Sequence, residues 1–244
     1  MIILFTDYGP DDIYVGQLKA ALLRHAAAGA VIVDLLHRVP DFDAKAGAHL
    51  LAALQFHFPP GAVFLAVVDP GVGSQRSAAV LEADGRWFVG PDNGLLSVVA
   101  ARAHHAHTWR IAWRPEHLSA SFHGRDLFAP VAGSIAGGHL PSERLTDCAG
   151  LEVRLGGEDL AEVIYVDHYG NAMTGLRAQN VSPTMHLDVG GRRVGWARVF
   201  SEGAAGVPFW YVNSIGLAEI ALPRGDAATA LGLAVGTSIV PAAA

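Results

Sequence analysis

Short apolar runs alternate with helical repeats in the first part of the chain. Three runs predict buried strands: residues 2–5, 30–36 and 62–68. Apolar residues at helical spacing predict a helix after Asp11 or Asp12, either of which can cap it. A second helix is predicted over 44–58, with Asp43 as its N-cap. Because strands that alternate with helices usually pair in parallel, this pattern predicts a parallel sheet.

The pattern changes after residue 78. Asp84-Gly85 separates two short apolar runs and predicts a hairpin, and further helices are predicted over 95–101 and 126–136. From Gly150 onward short apolar runs alternate with turn residues: 161–166, 185–189, 194–200 and 217–222. We therefore predict an α/β fold of two domains. These are an N-terminal α/β sandwich with a mainly parallel sheet at 1–148 and a smaller C-terminal β-barrel-like domain at 159–244.

Composition and charge narrow the classes of function. The 244 residues carry a formal net charge of −6, which argues against a nucleic-acid partner because such a partner calls for a basic face. The chain lacks an apolar stretch long enough to span a membrane, and it begins with an apolar run rather than a basic leader. Its one cysteine, Cys148, cannot form an internal disulfide. These features predict a cytoplasmic protein.

The twelve histidines raise the question of a metal site. None of them stands in a His-Glu-x-x-His or paired-cysteine spacing. The tightest group is His104, His105 and His107, which we interpret as a solvated helix end because neighbouring residues rarely converge on one ion. We expect no metal.

Ionisable residues follow predicted strands, or precede a predicted helix, in three strings. They are Thr6-Asp7-Tyr8-Gly9, Asp69-Pro70-Gly71-Val72-Gly73-Ser74-Gln75-Arg76 and Phe122-His123-Gly124-Arg125-Asp126. In open α/β sheets, ligands bind where strands end. Singly, Asp69 could be a turn carboxylate, Arg76 a surface arginine and His123 a packing or capping residue. Together they form a polar reaction site if the third strand and the helix at 126 are neighbours.

Other polar positions leave two interpretations open. Asp7 is either a strand-end turn residue or a carboxylate that binds the vicinal hydroxyls of a ribose. In the second half, 166–171 and 211–216 interrupt apolar strands with polar residues, and on spacing alone both are ordinary β-turns.

Six strings, taken in order, resemble the S-adenosylmethionine hydroxide adenosyltransferases, the hydrolytic relatives of the adenosyl-fluoride and adenosyl-chloride synthases. Besides the three strings above, they are Gly90-Pro91-Asp92-Asn93-Gly94, 167–171 and Asn213-Ser214. The resemblance implies an α/β N-terminal domain, a β-rich C-terminal domain and a homotrimer with active sites at subunit interfaces. It implies attack of water or hydroxide on the 5′ carbon of S-adenosylmethionine, which yields adenosine and methionine without a cofactor.

The resemblance also implies roles for individual residues. Asp69, Arg76 and His123 match the catalytic set, Asp7 the ribose-binding aspartate, and Phe42 the aromatic residue beside the sugar. The remaining substrate-binding positions are Asp167 for the methionine ammonium, Tyr169 and Asn171 for adenine, Ser214 for the methionine carboxylate, and Tyr211. Positively charged Arg76 and His123 would lower the pKa of the attacking water, and Asp69 would accept a hydrogen bond from it or orient the cations.

Two departures separate the chain from the halogenating branch of these proteins. That branch has a serine beside its halide where this chain has Gly124, and an arginine where this chain has Ile215. A halogenase is therefore disfavoured, although it remains the alternative enzyme. A non-catalytic protein that binds an adenosyl ligand would not need the Asp69, Arg76 and His123 set. We therefore predict a hydrolase of S-adenosylmethionine.

Overall fold

The computed structural model describes residues 1–243. The chain folds into two compact units, Met1–Gly157 and a second unit that begins at Glu158. Each unit is built around its own sheet. Within residues 1–243, no helix is both long enough and apolar enough to cross a membrane.

The most apolar strands of the first sheet lie away from its two edges. Within residues 1–157, seven strands pair in the order β2-β1-β3-β5-β4-β6-β7. Their bounds are Ile2–Thr6 for β1, Ile32–Leu36 for β2, Val63–Val67 for β3, Ala78–Ala83 for β4, Arg86–Pro91 for β5, Ala106–Ile111 for β6 and Leu145–Cys148 for β7. Every residue of β1 and β3 is buried, as expected for strands covered on both faces.

The predicted α/β class is confirmed, but the sheet is mixed rather than mainly parallel. β2, β1, β3 and β5 pair in parallel, whereas β4, β6 and β7 join in antiparallel pairs. The cause is the hairpin at Asp84-Gly85, whose residues have φ values of 46° and 78°. Two consecutive left-handed residues close a tight hairpin, so the chain reverses there and adds its next strand antiparallel.

Four α-helices of the first unit flank these strands. They are Ile13–His25 for α1, Ala44–Leu54 for α2, Ser97–Arg102 for α3 and Ala129–Ala136 for α4. As predicted, Asp12 caps α1 by accepting from the Ile13 N–H at 2.8 Å, and Asp43 caps α2 by accepting from the Ala46 N–H at 2.9 Å. α1 packs against α4, and Leu18 and Leu22 of α1 join the core formed by β1 and β3.

The histidine group differs in part from its interpretation as a helix end. α3 ends at Arg102, and His104 and His105 follow it in exposed positions. His107 instead lies on β6 opposite Glu82, where its imidazole pairs with Asp147. Strand β6 escaped prediction because its exposed histidines hide the alternation of apolar residues. Among residues 1–243, no three His, Cys, Asp or Glu side chains lie close enough together to hold a metal ion.

The second unit is a curled, mostly antiparallel sheet. Within residues 158–243, seven strands pair in the order β14-β10-β11-β12-β13-β9-β8. Their bounds are Leu160–Val166 for β8, Ala172–Arg177 for β9, His186–Val189 for β10, Arg192–Trp196 for β11, Phe209–Val212 for β12, Leu217–Ala221 for β13 and Val240–Ala242 for β14; helix α5 spans Ala227–Leu231. A bridge between Glu162 and Ser238 brings the two ends of the sheet together, which confirms the barrel-like prediction.

The core of this second unit is centred on Trp210. Its side chain is fully buried, and its indole N–H donates to the Met185 carbonyl at 3.0 Å. Apolar residues of five strands surround it, including Leu187, Val194 and Ile220. A buried indole with a satisfied N–H both fills volume and fixes the packing of the strands around it.

Candidate active site

The parallel register of β1 and β3 creates the first half of the candidate site. Thr6 and Val67 are register partners at the ends of these strands, and the Asp7 N–H donates to the Val67 carbonyl at 3.3 Å. Asp7 and Asp69 therefore leave the sheet at the same edge. The amide of Asn93, which follows β5, donates to the Val68 carbonyl at 2.8 Å and anchors the residue before Asp69.

A polar relay, buried at Thr6 and His37 and exposed at Asp34, holds the turn that carries Asp7. The Thr6 hydroxyl lies 2.8 Å from His37 Nδ1, and His37 Nε2 lies 3.1 Å from an oxygen of Asp34. The His37 carbonyl accepts from the Gly9 N–H at 2.7 Å. These contacts tie the end of β1 to the end of β2, so the position of Asp7 depends on residues far away in sequence.

Asp69, Arg76 and His123 are brought together. Arg76 binds the Asp69 carboxylate through two nitrogens, with Nε donating to Oδ1 at 2.7 Å and Nη2 donating to Oδ2. The same Nη2 lies 3.1 Å from His123 Nδ1. The side chains of Asp69 and Arg76 are only 5% and 11% exposed, so this is a nearly buried ion pair. Bidentate pairing of this kind fixes the orientation of both groups.

This arrangement favours the neutral form of His123. Burial lowers its pKa from the ordinary histidine value, and the positive charge of Arg76 lowers it further. Because a guanidinium can only donate, Nδ1 must accept, and the single proton of the ring is then on Nε2. The lowered pKa disfavours the positively charged His123 that the resemblance implies. The imidazole instead offers an N–H donor on the side away from Arg76.

An irregular turn of helix presents His123. Residues Gly124–Phe128 form a π-helical turn that leads directly into α4, where a regular helix was predicted from Asp126. Arg125 and Asp126 pair with each other through Nε and Oδ1 at 2.6 Å, and Asp126 also accepts from the Ser119 N–H at 3.0 Å. π-helical turns are frequent at functional sites because they redirect side chains within a helix.

A cavity of about 380 Å³ opens beside these groups. Among the described residues, four carboxylates and four aromatic rings line it: Asp7, Asp12, Asp41 and Asp69, with Tyr8, Tyr14, Phe42 and Phe122. His123 and Gly124 also face it. Burial raises the pKa of Asp7 above its ordinary value. Negative charges and aromatic faces together suit an organic cation.

Phe42 occupies this cavity wall in a strained backbone conformation. Its φ is 62°, its side chain is 73% exposed, and its N–H donates to the Asp7 carboxylate at 3.3 Å. Such a conformation costs free energy in a residue with a Cβ, and strain of this kind collects at ligand sites. This conformation places an exposed aromatic ring beside Asp7.

A second cavity, of about 590 Å³, lies wholly within the second unit. It contains four of the predicted substrate-binding residues: Asp167, Tyr169, Asn171 and Tyr211. Phe200 and Arg224 also line it, and Phe200 meets Tyr211 edge to face at 5.1 Å. Aromatic rings beside a buried amide form a surface suited to a flat heterocycle.

Asp167 and Asn171 stabilise their own turn. Asp167 Oδ1 accepts from the N–H groups of Tyr169 and Asn171 at 3.0 and 2.8 Å, and Oδ2 accepts from the Asn171 amide at 3.0 Å. The turn interpretation of this string is therefore correct. It does not conflict with ligand binding, since Tyr169 and Asn171 still face the cavity.

Glu219 is a functional candidate that sequence reasoning missed. It is 2% exposed, and its two oxygens accept from the Tyr211 hydroxyl and from the Asn213 amide, the latter at 2.8 Å. Burial raises the pKa of this carboxyl group. The available signal was a lone charge inside the apolar run 217–222. Through these contacts Glu219 orients the ring that lines the second cavity.

Ser214 lies apart from the other four residues. It is exposed on the turn that Asn213 holds by accepting from the N–H groups of Ile215 and Leu217 at 3.1 and 2.9 Å. It does not line the second cavity, which the other four predicted residues share. The structure therefore brings together two sets, Asp7, Phe42, Asp69, Arg76 and His123 in the first unit, and Asp167, Tyr169, Asn171 and Tyr211 in the second.

A polar, aromatic cavity at the carboxyl edge of an α/β sheet defines the first unit as a small-molecule binding domain of enzymatic type. Family comparison makes the assignment specific. The SAM hydroxide adenosyltransferase N-terminal domain matches residues 2–145, and the C-terminal domain of the same family matches residues 161–240. The chain belongs to the S-adenosylmethionine hydroxide adenosyltransferase family, which confirms the resemblance.

Individual relatives agree with this assignment. An (R)-S-adenosyl-L-methionine hydrolase of Thermus thermophilus is 40% identical to this chain, with 98% of each chain covered. A crystal structure of an uncharacterized conserved protein from Thermotoga maritima superposes with a TM-score of 0.86 at 33% identity, covering 98% of both chains. A fluorinase of Actinopolyspora mzabensis is more distant, at 23% identity over 98% of this chain and 96% of its own.

Gly170 provides a test of the Asp167 turn. Its φ is 81°, and a Cβ there would overlap the Asp226 carboxylate, whereas Gly216, with φ 78°, has no atom within 4 Å of the same position. Both alanine substitutions incur backbone strain, but only Gly170→Ala adds an overlap. We expect Gly170→Ala to lower the free energy of unfolding by about 1–3 kcal/mol more than Gly216→Ala in urea denaturation. Equal losses of unfolding free energy in the two variants would show that the Asp167 turn moves to accommodate the added methyl group without further cost.

Proposed function

We propose that the protein hydrolyses S-adenosyl-L-methionine to adenosine and L-methionine. The observation that carries this proposal is the first cavity, in which carboxylates and aromatic rings stand beside the Asp69, Arg76 and His123 cluster. A sulfonium is an organic cation, and this cavity suits one. The hydrolases among the relatives, 33–40% identical, support the same reaction.

The cluster suits a water nucleophile. Water can donate one hydrogen bond to Asp69, whose carboxylate retains acceptor capacity beyond the bonds from Arg76, and can accept another from His123 Nε2. Held in line with the C5′–S bond, the water oxygen forms a bond to C5′ while the C–S electron pair leaves on sulfur. The leaving thioether is neutral and needs no acid. The proton of the water passes to Asp69 and then to solvent.

The other predicted residues are assigned to the ribose, the adenine and the methionine part of the substrate. Asp7 can accept two hydrogen bonds from a ribose diol, with the Phe42 ring against the sugar. Tyr169, Asn171 and Tyr211 of the second cavity suit the adenine, and Asp167 and Ser214 are assigned to the methionine end by resemblance. We propose that the protein acts in the cytoplasm without a metal or other cofactor.

The active site requires more than one copy of the chain in this proposal. We propose a homotrimer in which the first cavity of one copy is completed by the second cavity of another. This arrangement explains why the predicted set is split between two units that each present an open cavity.

Isotope labelling tests the reaction. In water enriched in ¹⁸O, purified protein and S-adenosylmethionine should give adenosine labelled at the 5′-hydroxyl and unlabelled methionine, because the new oxygen comes from solvent. Activity should survive a metal chelator, and Asp69→Asn serves as the inactive control. Unlabelled adenosine, or loss of activity with the chelator, would overturn this mechanism. A 5′-halogenated product in chloride or fluoride would favour the halogenase alternative.

The acid limb of the pH profile tests the neutral His123. Because burial and Arg76 lower its pKa, His123 protonates only below the ordinary histidine value of about 6.5, so kcat should stay constant down to that pH and fall below it. Protonation would set a second positive charge against Arg76. His123→Gln, which retains an N–H donor, should be slower and lack this limb.

Two comparisons help to assign the acid limb of the pH profile to His123. Asp7 faces the same cavity with a raised pKa and contributes its own titration, which His123→Gln should leave in place. His105 is exposed, and its backbone N–H donates to Asp84, at the opposite end of β4 from Arg76, so His105→Gln should keep the wild-type profile. A His123→Gln profile identical in shape to wild type would remove His123 from the mechanism.

Mixing of variants tests the shared site. Asp69→Asn disables the first cavity and Asp167→Asn the second, and each substitution keeps the size of the side chain. After subunit exchange, some interfaces of a mixed trimer pair an intact first cavity with an intact second one, so activity should return. A monomer by light scattering, or no recovery despite exchange shown by mass spectrometry, would mean that each chain builds its own site.

A further inference from the structure

The Tyr8 hydroxyl fills the space in front of Gly124. A Cβ placed on Gly124 would overlap this hydroxyl oxygen and would stand 3.2 Å from the ring carbon that carries it. Gly124 is therefore required by close approach of a neighbouring side chain. Because Gly124 directly follows His123 in the π-helical turn, the Tyr8 hydroxyl lies beside the backbone that carries the imidazole.

The Tyr8 ring is held from several directions. Its backbone N–H donates to the Thr6 hydroxyl at 3.3 Å, which belongs to the relay of His37 and Asp34. Its ring meets Phe122 edge-on at 5.7 Å and Tyr14 at 5.9 Å between centroids. A ring fixed at its base and along its edge has little freedom, so the hydroxyl is a preorganised group.

The hydroxyl is a neutral hydrogen-bonding group among the reacting groups. Tyr8 lines the first cavity together with Asp69, His123 and Gly124. Burial raises its pKa well above the ordinary tyrosine value, and the charges of Asp7 and Asp69 raise it further. It therefore keeps its proton at any physiological pH, and as a neutral hydroxyl it can donate one hydrogen bond and also accept one from a water in the cavity.

We propose that Tyr8 is a further catalytic residue, whose hydroxyl hydrogen-bonds the attacking water beside Gly124. This role rests on the proposed hydrolysis. The water would donate one hydrogen bond to Asp69 and the other to Tyr8 Oη and would accept one from His123 Nε2, which leaves its second lone pair directed at C5′. As the C5′–O bond forms and the C5′–S bond breaks, the electron pair goes to sulfur and the proton to Asp69.

Tyr8→Phe is the primary test, because it keeps the ring contacts and removes only the hydroxyl. With one hydrogen bond to the water lost, kcat should fall about tenfold or more, while the KM for S-adenosylmethionine and the affinity for adenosine change little. Tyr165→Phe, which removes a tyrosine hydroxyl from β8 of the second unit, should keep the wild-type kcat. A purely structural role would instead lower affinity and thermal stability together with kcat.

Gly124→Ala gives an independent second variant. Its methyl group displaces the Tyr8 hydroxyl rather than removing it, so kcat should fall in the wild-type background. In a Tyr8→Phe background the same methyl group should cost much less, because the hydroxyl is already gone. If the fold-losses in kcat of the two single variants simply multiply in the double variant, Gly124→Ala does not act through the Tyr8 hydroxyl and the proposed role is overturned.

The outcomes separate this role from the reaction itself. If wild-type protein releases no adenosine, the proposed hydrolysis fails and the role of Tyr8 fails with it. If wild-type protein is active and Tyr8→Phe is equally fast, only the role of Tyr8 is overturned.

Discussion

Two opposite charges, Asp69 and Arg76, lie almost out of water at one edge of the first sheet, and neither can be separated from the other cheaply. Removing one partner of such a pair leaves a buried charge, at a cost of about 3–5 kcal/mol. The pair therefore fixes the turn between them. Because Arg76 also donates to His123, it sets which imidazole nitrogen carries the proton. Geometry and protonation of the cluster thus depend on one ion pair.

That ion pair in turn depends on strand register. Asp69 follows β3, Asp7 follows β1, and the parallel pairing of Thr6 with Val67 makes both leave the sheet together. A register shift of one residue would turn the following side chains to the opposite face. The second unit uses a different device, a carboxylate that caps its own turn at 167–171. Strand register in the first unit and side-chain hydrogen bonds in the second therefore place the polar groups.

The predictions succeeded where the signal was local and failed where it was not. The apolar strands, the caps at Asp12 and Asp43 and the Asp84-Gly85 turn are all encoded within a few residues. The antiparallel pairing of β6 with β7 and the lowered pKa of His123 both depend on partners distant in sequence. The motifs were enough to predict that Asp69, Arg76 and His123 lie together. Which protonation state is favoured could be argued only from the distances between their side chains in the structure.

The charges of the first cavity indicate where its rate enhancement must originate. Its carboxylates stabilise a sulfonium in the ground state, yet the positive charge on sulfur disappears as the C5′–S bond breaks. Interactions that are strongest before the transition state favour binding and oppose the chemical step. Rate enhancement must therefore come chiefly from placing water in line with the bond. A neutral His123, a protonated Tyr8 and an Asp69 carboxylate whose charge is balanced by Arg76 are suited to that task because they orient water without adding net charge.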